Sequence, residues 1–182
     1  MLILASNSPR RRELLKGLNI EFTVVEPTAE EIMENLPAEK IAVANAMNKA
    51  NSVARAKKDV VVGADTIVVL DGVIYGKPKD EEDAVKMLTA LSGKTHSVIT
   101  GIAVIKGKQV LLDGVTSKVT FNQLDEKTIQ DYVATKEPLD KAGAYGVQND
   151  NNIVKSVEGS YSNVVGLPME RLKELLTEVG VI

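Results

Sequence analysis

The chain has 182 residues, 44% of them hydrophobic and 26% charged, which suits one globular domain over residues 1–182. Its net charge of −3 argues against sequence-independent binding to nucleic acid. The absence of cysteine excludes disulfides, thiolate nucleophiles and Cys-type metal sites, and the single histidine, His96, excludes a multi-histidine metal site. Any metal would be held by oxygen ligands, which points to magnesium or manganese.

Met1 to Ala5 reads as a short buried strand. It is too short and uncharged for a signal peptide, and no run approaches transmembrane length, so no membrane partner and a cytoplasmic location are expected. Ser8 fits a helix N-cap and Pro9 the first helical position, where its missing N–H costs nothing. The first turn then carries Arg10, Arg11 and Arg12, although the free N–H groups there already concentrate positive charge. Either an anion such as phosphate sits at this helix start, or the arginines form a solvated basic turn.

Ile20 to Val25 reads as a strand and Glu26 to Leu36 as a polar loop. Glu26, Glu30, Glu31 and Glu34 make that loop either a solvated acidic surface or one wall of an active site. Pro37 to Lys58 reads as a long alanine-rich helix, with Ala42, Ala46, Lys49, Val53 and Ala56 on one face. Lys49 either snorkels from that face to solvent or points into a cleft to meet an anion.

Val60 to Val62 is a buried-type strand, Gly63 to Thr66 follows it, and Ile67 to Leu70 is a second apolar run. Asp71-Gly72 is a favoured two-residue hairpin turn, returning through Val73 to Tyr75. Asp65 lies between two apolar segments, where a carboxylate must be paired, cap a turn or bind a metal. Gly63 would allow close approach of a ligand or of another strand. Lys77 is held just outside a strand by Pro78.

Asp80 to Leu91 reads as an amphipathic helix. Ser97 to Ile105, Gln109 to Leu112 and Val115 to Phe121 read as antiparallel strands, with His96 at a strand edge as a structural or surface residue. Asp125 to Lys136 reads as a helix capped by Asp125. Glu137 to Gln148 is an irregular Gly- and Ala-rich segment where backbone can approach a ligand beside Asp140, Lys141 and Gln148. Asn149 to Asn152 reads as a turn, Ile153 to Val157 and Tyr161 to Val165 as short strands, and Met169 to Val179 as the last helix.

Cations of this kind bind a polyphosphate, while carboxylates hold a divalent metal and activate water. Together they are equipment for breaking a phosphoanhydride bond. Neither a Walker A pattern nor G-x-G-x-x-G is present.

The segments LASNSPRRRELL, GADTIVVLDG, GKP, LSGKTHSVITG, KEPLDKAGAYGVQ and GSYSNVVGLP occur in this order. From about residue 2 to about residue 176 the chain resembles the Maf family of nucleoside triphosphate pyrophosphatases. The resemblance implies an α/β fold related to the inosine triphosphatases, with a long twisted mixed β-sheet and helices in two lobes around a central cleft. It implies hydrolysis of a nucleoside triphosphate to the monophosphate and pyrophosphate with Mg2+ or Mn2+, a house-cleaning role, and a homodimer. Asp65 matches the family's proton acceptor. Ser8, Arg10, Arg11, Lys49, Lys77 and Gln148 match its functional positions, and Glu31 (or Glu30) its acidic-loop residue. Glu31 and Asp65 are the implied metal ligands. Thr66 and Gln148, with one of the arginines, match positions tied to substrate choice. DKAGAYGVQ resembles the branch acting on dTTP and UTP. Asn149-Asp150-Asn151-Asn152 and Ser162-Asn163 depart from the family's pattern and bear on the base pocket. The alternatives are a pyrophosphatase for purine or modified guanine nucleotides, and a nucleotide-binding regulator of cell division.

Overall fold

The structure, a computed structural model, describes residues 1–53, 55–148 and 152–182. Seven strands form one mixed sheet: β1 (Leu2–Ala5), β2 (Phe22–Val25), β3 (Val60–Leu70), β4 (Val73–Tyr75), β5 (Thr95–Lys106), β6 (Gln109–Phe121) and β7 (Val154–Glu158). Their order is β2-β1-β3-β5-β6-β7, with β4 paired to β3. β1 runs parallel to both β2 and β3, whereas the β3–β4 and β6–β7 pairs are antiparallel. The helices are α1 (Pro9–Lys16), α2 (Ala38–Asn51), α3 (Glu81–Leu91), α4 (Glu126–Ala134), α5 (Tyr161–Val165) and α6 (Met169–Glu178). The chain divides into two compact units. The first comprises Met1–Thr66, Ile99–Val115 and Ser162–Ile182; the second comprises Ile67–Val98 and Thr116–Tyr161.

In the first unit β1 and the first half of β3 are buried and apolar on both faces, as parallel strands covered by helices must be. Leu2, Leu4, Val60, Val62, Ala64, Ile102 and Val104 pack with Leu15 of α1 and with Leu172, Leu175 and Leu176 of α6. Ile3, Ala5, Val61, Ala103 and Ile105 pack with Ala46 and Ala50 of α2. Even-numbered residues of β1 and β3 thus face α1 and α6, and odd-numbered ones face α2, because strand side chains alternate.

The alanine-rich α2 lies unusually close to the sheet. A Cβ added to Gly63 would stand 2.2 Å from the Ala46 carbonyl oxygen, and one added to Gly101 would stand 2.3 Å from the Ala42 carbonyl. Gly63 therefore serves close approach, but of a helix rather than of a ligand or strand. β3 runs unbroken for 11 residues through Gly63-Ala64-Asp65-Thr66, so the two apolar runs on either side are one strand.

Three other elements differ from the sequence reading. α2 ends at Asn51 instead of continuing to Lys58, since Ser52 Oγ donates to the Lys49 carbonyl (2.8 Å) and Asp59 closes a turn on the Ala56 N–H (2.9 Å). β6 is one strand of 13 residues, without a break at Asp113-Gly114. Tyr161–Val165 is helical, despite its β-branched residues, because Gly166 and Leu167 donate their N–H groups back to Ser162 and close the turn.

In the second unit, Asp71 (φ 50°) and Gly72 (φ 77°) make the expected left-handed hairpin turn. Asp80 and Asp125 cap α3 and α4. His96 is buried, not at the surface, and makes edge-to-face contacts with Phe121 and Tyr145 at centroid distances of 5.0 and 5.3 Å. The expected turn at Asn149 to Asn152 includes Asn149, Asp150 and Asn151, which lie outside the described residues.

Candidate active site

Asp65 and Thr66 are adjacent on β3, so their side chains leave on opposite faces of the sheet. Asp65 meets α2, and Thr66 meets α1. The two halves of the site follow from that alternation.

On the α2 face, Lys49 Nζ lies 2.7 Å from Asp65 Oδ1 and 2.7 Å from Glu31 Oε1. The Lys49 side chain is 12% exposed and that of Asp65 7%, so Lys49 turns inward to carboxylates instead of snorkelling to solvent. The second Asp65 oxygen, Oδ2, accepts from Asn45 Nδ2 at 3.1 Å. Asn45 lies one turn before Lys49, on the same side of α2. Each carboxylate oxygen has two lone pairs, so each retains one beyond these bonds. Both acids left open by sequence are exposed, and Glu31 is the one that reaches Lys49. Removing one partner of a buried ion pair such as Lys49–Asp65 costs about 3–5 kcal/mol, because the other charge is left uncompensated.

On the α1 face, Ser8 caps the helix as expected, accepting from Arg11 N at 3.4 Å. Arg11 is held at each of its three nitrogens. Nε donates to Gly166 O (2.6 Å), Nη1 to Ser6 Oγ (3.4 Å) and Nη2 to Thr66 Oγ1 (3.0 Å). Burial presses the Arg11 guanidinium below its ordinary pKa; Asp65 pulls it back up, Arg10 pushes it further down, and Glu31 also raises it. Arg12 is exposed.

Thr66 Oγ1 also lies 2.9 Å from Thr100 Oγ1, and Thr100 donates to Asn163 O at 3.0 Å. A threonine hydroxyl has one proton. Thr100 spends its proton on Asn163 O, so Thr66 must donate to Thr100 and accept from Arg11. The relay therefore has one direction, from Arg11 through Thr66 and Thr100 to the backbone of α5.

Ser8, Arg10, Arg11, Glu31, Lys49, Asp65 and Thr66 all belong to the first unit. Lys77 and Gln148 belong to the second unit, and both are exposed. Sequence reasoning missed Asn45, Ser6, Thr100 and the Gly166 carbonyl. Asn45 had a signal: it is a polar residue next to Ala46, one turn from Lys49, in an otherwise alanine-rich helix. The Gly166 carbonyl had none, because a backbone acceptor 155 residues from Arg11 leaves no mark on residue type.

The two carboxylates that converge on the Lys49 ammonium, Glu31 and Asp65, are hard oxygen donors, the ligand type that magnesium takes. Among the described residues no group of three or more His, Asp or Glu side chains forms a metal cluster by itself. Magnesium fits a two-carboxylate set, since it usually keeps several waters and takes substrate phosphates as its other ligands.

The mixed α/β sheet thus carries a buried carboxylate–lysine pair on one face of β3 and an anchored arginine on the other. The Maf-like protein family matches residues 1–179, and the chain belongs to that family. It is 46% identical over 185 residues to a dTTP/UTP pyrophosphatase of Dictyoglomus turgidum, covering 98% of this chain and 96% of that one. It is 47% identical over 181 residues to a dTTP/UTP pyrophosphatase of Clostridioides difficile (96% and 93% covered). A dTTP/UTP pyrophosphatase of Bacillus cytotoxicus is 48% identical over 174 residues (93% and 91% covered). Among solved structures, a HAM1 protein from Coxiella burnetii is similar at a TM-score of 0.48 and 18% identity, covering 97% of this chain and 98% of that one. No helix among the described residues is long and apolar enough to cross a membrane.

Proposed function

We propose that this chain is a hydrolase that cleaves nucleoside triphosphates, dTTP and UTP above all, to the monophosphate and pyrophosphate. The observation that carries the reading is the buried Asp65 carboxylate, fixed at both oxygens by Lys49 and Asn45, with Arg11 anchored to the neighbouring Thr66 on the other face of β3. The relatives named above, alike over nearly the full chain, support the substrate class.

Asp65 uses a remaining lone pair to take a proton from the attacking water. The water oxygen bonds to the α-phosphorus, the bond from that phosphorus to the bridging oxygen breaks, and pyrophosphate leaves with the electron pair. Lys49 and the arginines at the start of α1 offset the negative charge of the triphosphate and of the leaving group. Glu31 and Asp65 would hold Mg2+ or Mn2+, which would neutralise charge on the phosphates. When a triphosphate arrives, Lys49 can exchange a carboxylate for a phosphate oxygen, since an ammonium is a point charge on a flexible stem. For Lys77 and Gln148 a binding role rests on the sequence resemblance. Clearing the nucleotide pool is the role consistent with this chemistry.

The test is a panel of dTTP, UTP, CTP, GTP and ATP with Mg2+ or Mn2+, assayed for monophosphate and pyrophosphate. Release of pyrophosphate, fastest from dTTP and UTP, is expected. Nucleotide binding without turnover would refute the enzyme reading, and faster release from the purine nucleotides would refute the base preference.

A further inference from the structure

Asn45 is buried to 1% exposure in the middle of α2, where a polar side chain must have every group satisfied. Its partners take both amide hydrogens and one lone pair of the oxygen. Oδ1 accepts the Ile32 N–H at 2.7 Å, and Nδ2 donates to the Ile32 carbonyl at 2.8 Å and to Asp65 Oδ2 at 3.1 Å. The orientation of the amide is fixed by this set, because only an oxygen can accept from the Ile32 N–H and only a nitrogen can donate to its carbonyl.

Asn45 thus pairs with the backbone of Ile32 as a neighbouring strand would, using both the N–H and the C=O of one residue. That residue is the immediate neighbour of Glu31, in a loop with no helix or strand of its own. The same amide holds the Asp65 oxygen that Lys49 does not. Asn45 therefore ties the acidic loop, α2 and β3 together at one point. Glu31 reaches Lys49 because Ile32 is pinned.

We propose that Asn45 is a positioning residue for the hydrolytic reaction, setting the direction of the Asp65 carboxylate and holding Glu31 on Lys49. This rests on the pyrophosphatase reading for its kinetic part only. The charged groups around Asp65 are Lys49 from α2, Glu31 from the loop and Arg11 from α1, with Arg10 beside Arg11. Asn45 is the neutral member of that ring.

Two variants test this. Asn45→Leu keeps most of the volume and removes all three hydrogen bonds. Asn45→Asp keeps the shape and the acceptor for Ile32 N–H, but places a second carboxylate against Asp65. For both, folding is checked by circular dichroism and melting.

In Asn45→Leu the Ile32 amide should lose at least about tenfold in hydrogen-exchange protection and kcat should fall about ten- to a hundredfold, with KM changing by less than about threefold. In Asn45→Asp the oxygen that replaces Nδ2 faces the Ile32 carbonyl and Asp65 Oδ2, acceptor against acceptor, so kcat should fall at least about tenfold with KM again changing by less than about threefold. A residue that only filled the core would leave both the Ile32 protection and the KM-against-kcat split unmoved. Wild-type kcat in either variant, or unchanged protection at Ile32 in Asn45→Leu, would overturn the assignment. If the wild-type protein released no pyrophosphate from any nucleotide, the functional reading would fail instead; exchange at Ile32 would still decide whether Asn45 pins the loop.

Discussion

Gly63→Ala probes how the fold builds the site, because the residue touches no ligand yet sets where α2 lies. The added Cβ would stand 2.2 Å from the Ala46 carbonyl oxygen, 2.9 Å from Ala50 Cβ and 3.0 Å from Ala50 N. Ordinary carbon–oxygen contact requires about 3.2 Å or more, so α2 would have to back away by about 1 Å. Two of the clashing atoms are backbone, which cannot rotate out of the way as a side chain can. Overpacking of this kind costs about 1–3 kcal/mol, or about 2–12 °C in Tm for a chain of this size. The functional cost is separate. α2 carries Asn45 and Lys49, so the 2.7 Å and 3.1 Å bonds to Asp65 would stretch together. A displacement of 1 Å in a catalytic group costs about a hundredfold in rate. Thermal melting and pyrophosphate release, assayed well below the variant's Tm, separate the two effects. A Gly63→Ala protein with wild-type Tm and wild-type kcat would refute the reasoning that helix proximity aligns the site.

Asp65→Asn should lower kcat by about two to four orders of magnitude with the fold retained, because an amide cannot take the proton from water; pyrophosphate release checks this, and near-wild-type turnover would remove Asp65 from the role. Thr100→Val should cost about 1–3 kcal/mol by leaving the Thr66 hydroxyl proton without its acceptor and removing one donor from the Asn163 carbonyl, which keeps the Gly166 N–H. Thr100→Ser should restore both stability and kcat/KM; denaturant titration of the pair decides whether the hydroxyl relay is real. His96 is held neutral by burial, its pKa lowered to about 4 with a smaller contribution from Lys118. Between about pH 6.5 and 4 the unfolded chain therefore binds a proton that the folded chain does not. Stability falls as the pH drops through that window, by about 3 kcal/mol at most. Urea titrations at pH 7 and pH 4.5 should show this loss in the wild type and a smaller one in His96→Gln; equal losses in both would exclude His96 as its source.

Much of the site was legible because each signal was local. Ser8 and Pro9 read as a helix start because capping depends on residues three apart. Asp65 stood out because a carboxylate amid valines has to find partners, and it found Lys49 and Asn45. Where the reading failed, the deciding contact was remote. Gly63 read as a place for close approach of a ligand or a strand, and only the packing of α2 shows that a helix takes that space. Tyr161–Val165 has the β-branched residues of a strand, but the N–H groups of Gly166 and Leu167 fold it into a helical turn.

The sequence by itself determined where most strands and helices lie, the charged inventory and the family, since these depend on residue type, local period and ordered motifs. Tertiary structure decided which of those charges meet. It chose Glu31 over Glu30, gave Arg11 its fixed contacts with Gly166, Ser6 and Thr66, and left Arg12 in solvent. It also brought in Asn45, whose importance lies in the backbone of Ile32, 13 residues away. The physical reason is that hydrogen bonds and ion pairs act over about 3 Å, and the neighbours found at that range are set by how helices pack on the sheet.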